Sequence, residues 1–160
     1  MKATKTLRRM AVGTAAGVLA LVGTMVSAGA AQADTIYNSE LDEPGILSQG
    51  DRIVAGDTQL IMQGDGNLVL YRVPPLGPAN VVWVAPGTLG CGDRAIMQGD
   101  GNFVVYGAYN RVCWASNTFK TSSFQRAGVV VADKGGLKVV FTNPREWSVI
   151  TDTLRSSDPY

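Results

Sequence analysis

Gln63, Asp65, Asn67 and Tyr71 step along the chain by twos and a four, and Gln98, Asp100, Asn102 and Tyr106 repeat the set 35 residues later. Each set offers one carboxylate acceptor, two amides that donate and accept, and a phenol, with Val69 or Val104 set between the asparagine and the tyrosine. There is no thiol and no charge pair in either set. Such groups suit a ligand dense in hydroxyls. Sugar hydroxyls both donate and accept, and a sugar ring carries apolar C–H faces that can lie on valine. Fixed donors and acceptors distinguish an axial from an equatorial hydroxyl, because a mismatch leaves a polar group unsatisfied. Catalysis has less to stand on. Histidine is absent from the chain, which excludes Ser-His-Asp and Cys-His nucleophiles. A glycosidase needs two facing carboxylates. Asp65 and Asp100 belong to separate repeats, and nothing in the spacing of Asp93 and Glu146 marks them. A calcium loop needs further spaced acids and a closing glutamate, which Asp65-Gly66-Asn67 lacks. The expectation is a binder, not an enzyme, with no metal and no cofactor.

These residues need elements to hold them. Residues 61–71 read IMQGDGNLVLY and residues 96–106 read IMQGDGNFVVY, identical at nine of eleven positions. A further step of 35 reaches ADKGGLKVVF at 132–141, where the apolar skeleton persists and the polar residues are gone. That alignment makes Asp133, Gly135, Leu137, Val139 and Phe141 the third set. If the polar residues were needed only to fold the repeat, the third copy would need them too. Repeats of this length mean one small unit used several times. The units run over about 45–85, 86–119 and 120–155. On a strand, residues two apart share a face. Asn67, Val69 and Tyr71 therefore point outward, and Leu68 and Leu70 point to the core. Gly64-Asp65-Gly66 between apolar runs signals a hairpin. Short β-rich runs bounded by Gly, Pro and Asn predict an all-β sandwich, barrel or prism. Trp83, Trp114 and Trp147 follow Tyr71, Tyr106 and Phe141 by 12, 8 and 6 residues, and one large aromatic per unit predicts a shared central core.

The first 33 residues read as a secretory signal peptide. Lys2, Lys5, Arg8 and Arg9 precede an apolar run from about Ala11 to Val26, and Ala31-Gln32-Ala33 supplies a small-x-small cleavage pattern. The expected product is secreted and extracellular, with a polar N-terminal arm at 34–44 and one domain at 45–160. Without the four leader cations, the 14 basic residues fall to ten against 13 acidic, a net of −3. A mildly acidic chain with no basic cluster argues against nucleic acid and against insertion into an anionic membrane. Cys91 and Cys113 are the only cysteines, and an oxidising compartment pairs them most simply as one disulfide.

Q-x-D-x-N-x-V-x-Y, complete twice, resembles the motif of the monocot or bulb-type mannose-binding lectins. Leu47-Ser48 and Gly56 before the first copy agree, as do Trp114-Ala115-Ser116-Asn117-Thr118 after the second. The resemblance covers roughly residues 45–150. It implies a β-prism of three four-stranded antiparallel sheets with pseudo-threefold symmetry, tryptophans at the centre, and shallow α-mannose sites. It also implies roles. Asp65 and Asn67 would hold the axial 2-hydroxyl, Gln63 the 3-hydroxyl and Tyr71 the 4-hydroxyl, with Val69 against the ring carbons. Asp100, Asn102, Gln98, Tyr106 and Val104 would repeat this. The third set departs, since Leu137 cannot bond a hydroxyl and Phe141 lacks the phenol oxygen. The cysteines depart too, because in the family the bridge starts inside the first motif, where this chain has Gly66. The implied partner is a mannose-rich glycan. Family members often dimerise by exchanging a C-terminal strand, and Thr151 to Tyr160 is long enough to reach a second copy. Two other readings keep the same fold: a bacteriocin-like antagonistic lectin, and a structural or inhibitory surface protein. A sugar-binding assay separates the last from the other two, and a growth-inhibition assay separates the first two.

Overall fold

A computed structural model describes residues 35–145 and 148–155. The leader at 1–33 and Trp147 lie outside them. Alternation builds the strands. In β5 (Thr58–Met62), Thr58, Leu60 and Met62 are buried and the residues between are half-buried. The hairpin returns as β6 (Leu68–Arg72), with Leu68 and Leu70 fully buried beside them. The same hairpin recurs as β8 (Gly92–Met97) with β9 (Phe103–Gly107), and as β11 (Arg126–Ala132) with β12 (Gly136–Asn143). Each is extended on one side by a following strand: β7 (Asn80–Val84), β10 (Val112–Ala115) or β13 (Ser148–Arg155).

The other edge comes from one segment near the N-terminus. β2 (Glu40–Asp42) pairs with β11, β3 (Gly45–Ser48) with β8, and β4 (Arg52–Ala55) with β5. Three consecutive short strands thus supply one edge to each of three sheets. Each contributes one core aliphatic, Leu41, Leu47 and Ile53, at most 3% exposed. Burying such a side chain contributes about 1.5–3 kcal/mol. β1 (Ile36–Asn38) adds to β4 in parallel, so the first sheet has five strands and the other two have four. The expected prism is present, with two differences. Within the N-terminal arm, 36–38 and 40–42 form β1 and β2. The three sheets are not three contiguous segments, because 45–48 belongs to the second sheet.

The inner faces meet in one core of Leu47, Ile53, Leu60, Met62, Leu68, Leu70, Met97, Phe103, Val129 and Leu137, among others. Trp83 and Trp114 are partly buried against it and meet each other edge to face, 5.5 Å apart at 74°. The hairpin tips close the ring. Gly90 N–H donates to Asp65 O (2.8 Å), Lys120 N–H to Asp100 O (2.8 Å), and Gly135 N–H to Thr58 Oγ1 (2.8 Å). Each tip is tied to the chain entering the next sheet, and the third tip to the start of β5.

The third repeat corrects the sequence alignment. Inward residues of β8 and β9 are Ala95, Met97, Phe103 and Val105, while those of β11 and β12 are Val129, Val131, Leu137 and Val139. The pair Met97↔Phe103 corresponds to Val131↔Leu137, an offset of 34 and not 35. The turn glycines agree: Gly66, Gly101 and Gly135 have φ of +85°, +92° and +88°. A one-residue slip moves every side chain to the other face. Leu137, Val139 and Phe141 are therefore core residues, not members of a degenerate site. The positions facing outward as Gln98, Asp100, Asn102, Val104 and Tyr106 do are Ala132, Lys134, Gly136, Lys138 and Val140.

Candidate functional site

Gln63 to Asn67 is a five-residue loop between β5 and β6, closed by Gln63 N–H to Asn67 O (2.9 Å) and Gly66 N–H to Gln63 O (3.0 Å). Gly66 must be glycine: its φ is left-handed, and a Cβ would lie 2.9 Å from the backbone N and O of Gly92. Asp65 Oδ1 accepts the Asn67 N–H (3.0 Å), which holds the carboxylate over the loop. Gln63 Nε2 donates to Tyr71 Oη (2.8 Å). Ile61 pairs with Val69 and Gln59 with Tyr71, so this bridge passes over the Ile61–Val69 pair. Val69 is accordingly 2% exposed. It faces outward in parity but lies beneath the bridge, so a ligand reaches little more than its edge. Thr88 completes the set. Its hydroxyl accepts the Leu68 N–H (3.1 Å) and places its proton between Asn67 Oδ1 (2.7 Å) and Ala85 O (2.8 Å).

The second hairpin repeats these bonds. Asp100 Oδ1 accepts Asn102 N–H (2.9 Å) and Gln98 Nε2 donates to Tyr106 Oη (2.8 Å), over a Val104 that is also 2% exposed. Asn102 is more deeply set than Asn67, at 9% exposed. Its Oδ1 accepts both the Ser116 hydroxyl (3.1 Å) and the Asn117 N–H (3.0 Å). Ser116 Oγ in turn accepts the Phe103 N–H (3.0 Å). Thus Thr88 and Ser116 perform one task from different places in the repeat. Their offsets from the asparagine are 21 and 14 residues, which is why comparing the copies did not reveal them. A second neighbour also went unread. Arg94 stands over the Tyr106 ring at 5.6 Å, where the first hairpin has Gln59 beside Tyr71.

The bonds occupy one polar atom of each side chain and orient the rest. By the inventory of donors and acceptors, each glutamine retains its Oε1, each aspartate its Oδ2, each asparagine its Nδ2 hydrogens and each tyrosine its hydroxyl proton. Each hairpin so presents fixed donors and acceptors on one shallow outer face. The third hairpin keeps the register without these groups and closes by a different turn, with Lys134 (φ +62°) left-handed as well as Gly135. Its Lys134 N–H donates to Asp57 Oδ1 (3.0 Å), and Arg72 Nε meets Asp57 Oδ2 at 2.7 Å. The Arg72 bond, then the Lys134 N–H, hold the Asp57 carboxyl below the usual carboxylate range. On the outer face of the same sheet, burial and the adjacent Asp42 push Glu40 up.

The expected disulfide is formed. Cys91 and Cys113 are joined within the second sheet, with Cα atoms 5.9 Å apart. Cys91 sits between Gly90 and Gly92, whose N–H groups bond Asp65 O and Gly66 O (2.8 and 3.2 Å). The bridge therefore braces the platform under the first site from the neighbouring sheet.

No protein-family model and no curated protein sequence matches the chain. Solved structures do. A monomeric monocot mannose-binding lectin from Gastrodia elata superposes with a TM-score of 0.54 at 28% identity, covering 71% of this chain and 94% of that one. The mannose-specific agglutinin of snowdrop (Galanthus nivalis) bulbs, solved with methyl-α-D-mannoside, gives 0.50 at 27% identity, covering 76% and 93%. The Marasmius oreades lectin gives 0.57 at 23% identity, covering 66% and 85%. The chain has the β-prism fold of these lectins.

Proposed function

We propose that this protein is a lectin that binds α-mannose or mannose-rich glycans non-covalently, at Gln63, Asp65, Asn67 and Tyr71 and again at Gln98, Asp100, Asn102 and Tyr106. The observation that carries this reading is the comparison of the three hairpin tips. All three share the left-handed glycine; the first two tips are tied to the next sheet through the Asp65 and Asp100 carbonyls, and the third through its Lys134 and Gly135 N–H groups to the Asp57 and Thr58 side chains. Only two carry the polar network. A hairpin of the same register closes without the network, and in the other two the network leaves donors and acceptors aimed outward, which is the better reason for it. The lectins of like fold that bind mannose or mannosides support the sugar class. In this reading Asp and Asn meet the 2-hydroxyl, Gln the 3-hydroxyl and Tyr the 4-hydroxyl. The buried valines contribute little, so most of the binding free energy is polar. We further propose export through the basic, apolar leader. Single shallow sites bind weakly, and two per chain raise avidity through effective concentration.

The test is calorimetric titration with methyl α-mannoside and methyl α-glucoside, which differ in the orientation of the 2-hydroxyl. Saturable mannoside binding at two sites per chain, several-fold tighter than glucoside, is expected. Equal affinity for the two sugars, or no saturable binding, refutes the proposal.

A further inference from the structure

The rims of the two sites are unequal. At the first, Gly90 N–H bonds Asp65 O and the chain enters β8 two residues later. At the second, Lys120 N–H bonds Asp100 O in the same way, but the chain runs through 121–125 before β11 begins at Arg126. This extra loop stands beside the hairpin tip. With Gly99, Asp100 and Phe119 it forms an open cleft of about 510 Å³, within the roughly 300–1,000 Å³ usual for small-molecule sites.

The loop is held in place before any ligand arrives. Gln125, 6% exposed, accepts at one oxygen the Thr121 N–H (2.7 Å), the Thr121 hydroxyl (3.2 Å) and the Ser122 N–H (3.1 Å). Gln125 N–H returns to Ser122 O (3.1 Å), and Phe124 N–H donates to Ser122 Oγ (3.3 Å). Little ordering entropy is left to lose on binding. The cleft's contents are specific in kind. Phe119 is 55% exposed and offers an aromatic face. Ser122 and Ser123 bring hydroxyls. The Lys120 ammonium is spent on Glu43 Oε1 at 2.7 Å, with both side chains mostly buried, so it brings no open positive charge. An aromatic face with hydroxyls, a paired lysine and the Asp100 carboxylate in the lining fits a neutral sugar better than a phosphate or an acidic glycan. At the first site the residue before Gly90 is Leu89, 67% exposed, with no loop behind it.

We propose that the Phe119–Ser123 cleft is a subsite for a second sugar residue, glycosidically linked to the one held at Asp100 and Asn102. The inference rests on the lectin reading above. The two sites are then different in specificity: the first takes a terminal monosaccharide, and the second reads a disaccharide or longer.

The experiment uses two backgrounds, Asn67→Ala to silence the first site and Asn102→Ala to silence the second. In each, dissociation constants are measured for methyl α-mannoside and for an α-linked mannotriose. The second site is expected to prefer mannotriose by about tenfold more than the first does. Phe119→Ala in the Asn67→Ala background should remove roughly fivefold of that preference, the scale of one stacking contact, and leave methyl mannoside affinity unchanged. Phe119→Trp should retain the preference. Phe119 is exposed, so these variants fold. A preference equal at both sites, or one unmoved by Phe119→Ala while monosaccharide still binds, overturns the inference alone. Absence of binding of either sugar to the wild type overturns the lectin reading, and this inference with it.

Discussion

Asn67 and Asn102 occupy the same place in the motif but not in the hydrogen-bond network, and truncating each to alanine separates bracing from binding. Asn102→Ala removes the acceptor for Ser116 Oγ and for Asn117 N–H. Two such bonds contribute about 1–3 kcal/mol together, with Ser116 retaining Thr118 Oγ1 at 2.7 Å as a partial substitute. Asn67→Ala removes one acceptor, and the Thr88 hydroxyl retains Ala85 O. Its cost is about 0.5–1 kcal/mol. A chain of this size loses roughly 3–5 °C per kcal/mol. The melting temperature should fall about 3–15 °C for Asn102→Ala and about 1.5–5 °C for Asn67→Ala, the former by roughly twice the latter or more, read by scanning calorimetry. Mannoside titration should give a different pattern. Either variant loses the two Nδ2 donors of its own site, and stoichiometry drops from two to one in both. Equal melting shifts would refute the asymmetric bracing. A stoichiometry still at two would refute the assignment of these side chains to the ligand.

The disulfide should matter more to one site than the other. Opening Cys91–Cys113, by reduction or by the Cys91→Ser/Cys113→Ser variant, frees a loop of sequence separation 22 and lowers stability by about 3 kcal/mol in the chain-entropy model. Mannoside affinity should weaken in the Asn102→Ala background, where only the first site remains, and hold in the Asn67→Ala background. Thr58→Val should cost about 1–3 kcal/mol in urea unfolding, because Thr58 is wholly buried and its Oγ1 accepts the Gly135 N–H. Glu40→Gln should raise the melting temperature at pH 7. The folded pKa of Glu40 is raised by burial and by Asp42, so its ionised form opposes folding above that pKa, and the gain should vanish below about pH 4, where the wild-type carboxyl is protonated in both states. Asp57 has the opposite sign. Its lowered pKa, set first by Arg72 and then by the Lys134 N–H, stabilises the fold above the unfolded value and is lost as pH falls through the folded one.

The hairpins and the polar residues on them could be read from the chain because they are local or repeated. Gly64-Asp65-Gly66 announces its turn, and Leu68 and Leu70 alternate with Val69 across a full-length strand. Two features escaped for physical reasons. The strands β2 and β3 are three and four residues long and bury one leucine each, Leu41 and Leu47. So short a strand has no alternation to display, and only the six-residue steps from Leu41 to Leu47 to Ile53 hint at it. The register of the third repeat misled because matching letters is not matching faces. A step of 35 aligns Tyr106 with Phe141, two aromatics, whereas the core demands that Val131 and Leu137 replace Met97 and Phe103. The supports of the asparagines, Thr88 and Ser116, come from loops of different length, and no pattern in the chain links them.

The distribution of β2, β3 and β4 over three sheets sets a timetable for folding. Leu41 pairs with Val129, 88 residues later, and Leu47 with Ala95, 48 later. At roughly 5–20 residues per second of synthesis, Leu41 exists for about 4–18 s before its partner does. The hairpins at 58–72 and 92–107 can close within that wait, since their contacts are local. The early strands β2 and β3 are then among the last to dock, and until they do the second and third sheets each show an open edge to their neighbours in the cell. The segment that closes the prism is thus also the one most exposed to chaperones, proteases and other nascent copies while the molecule is being made.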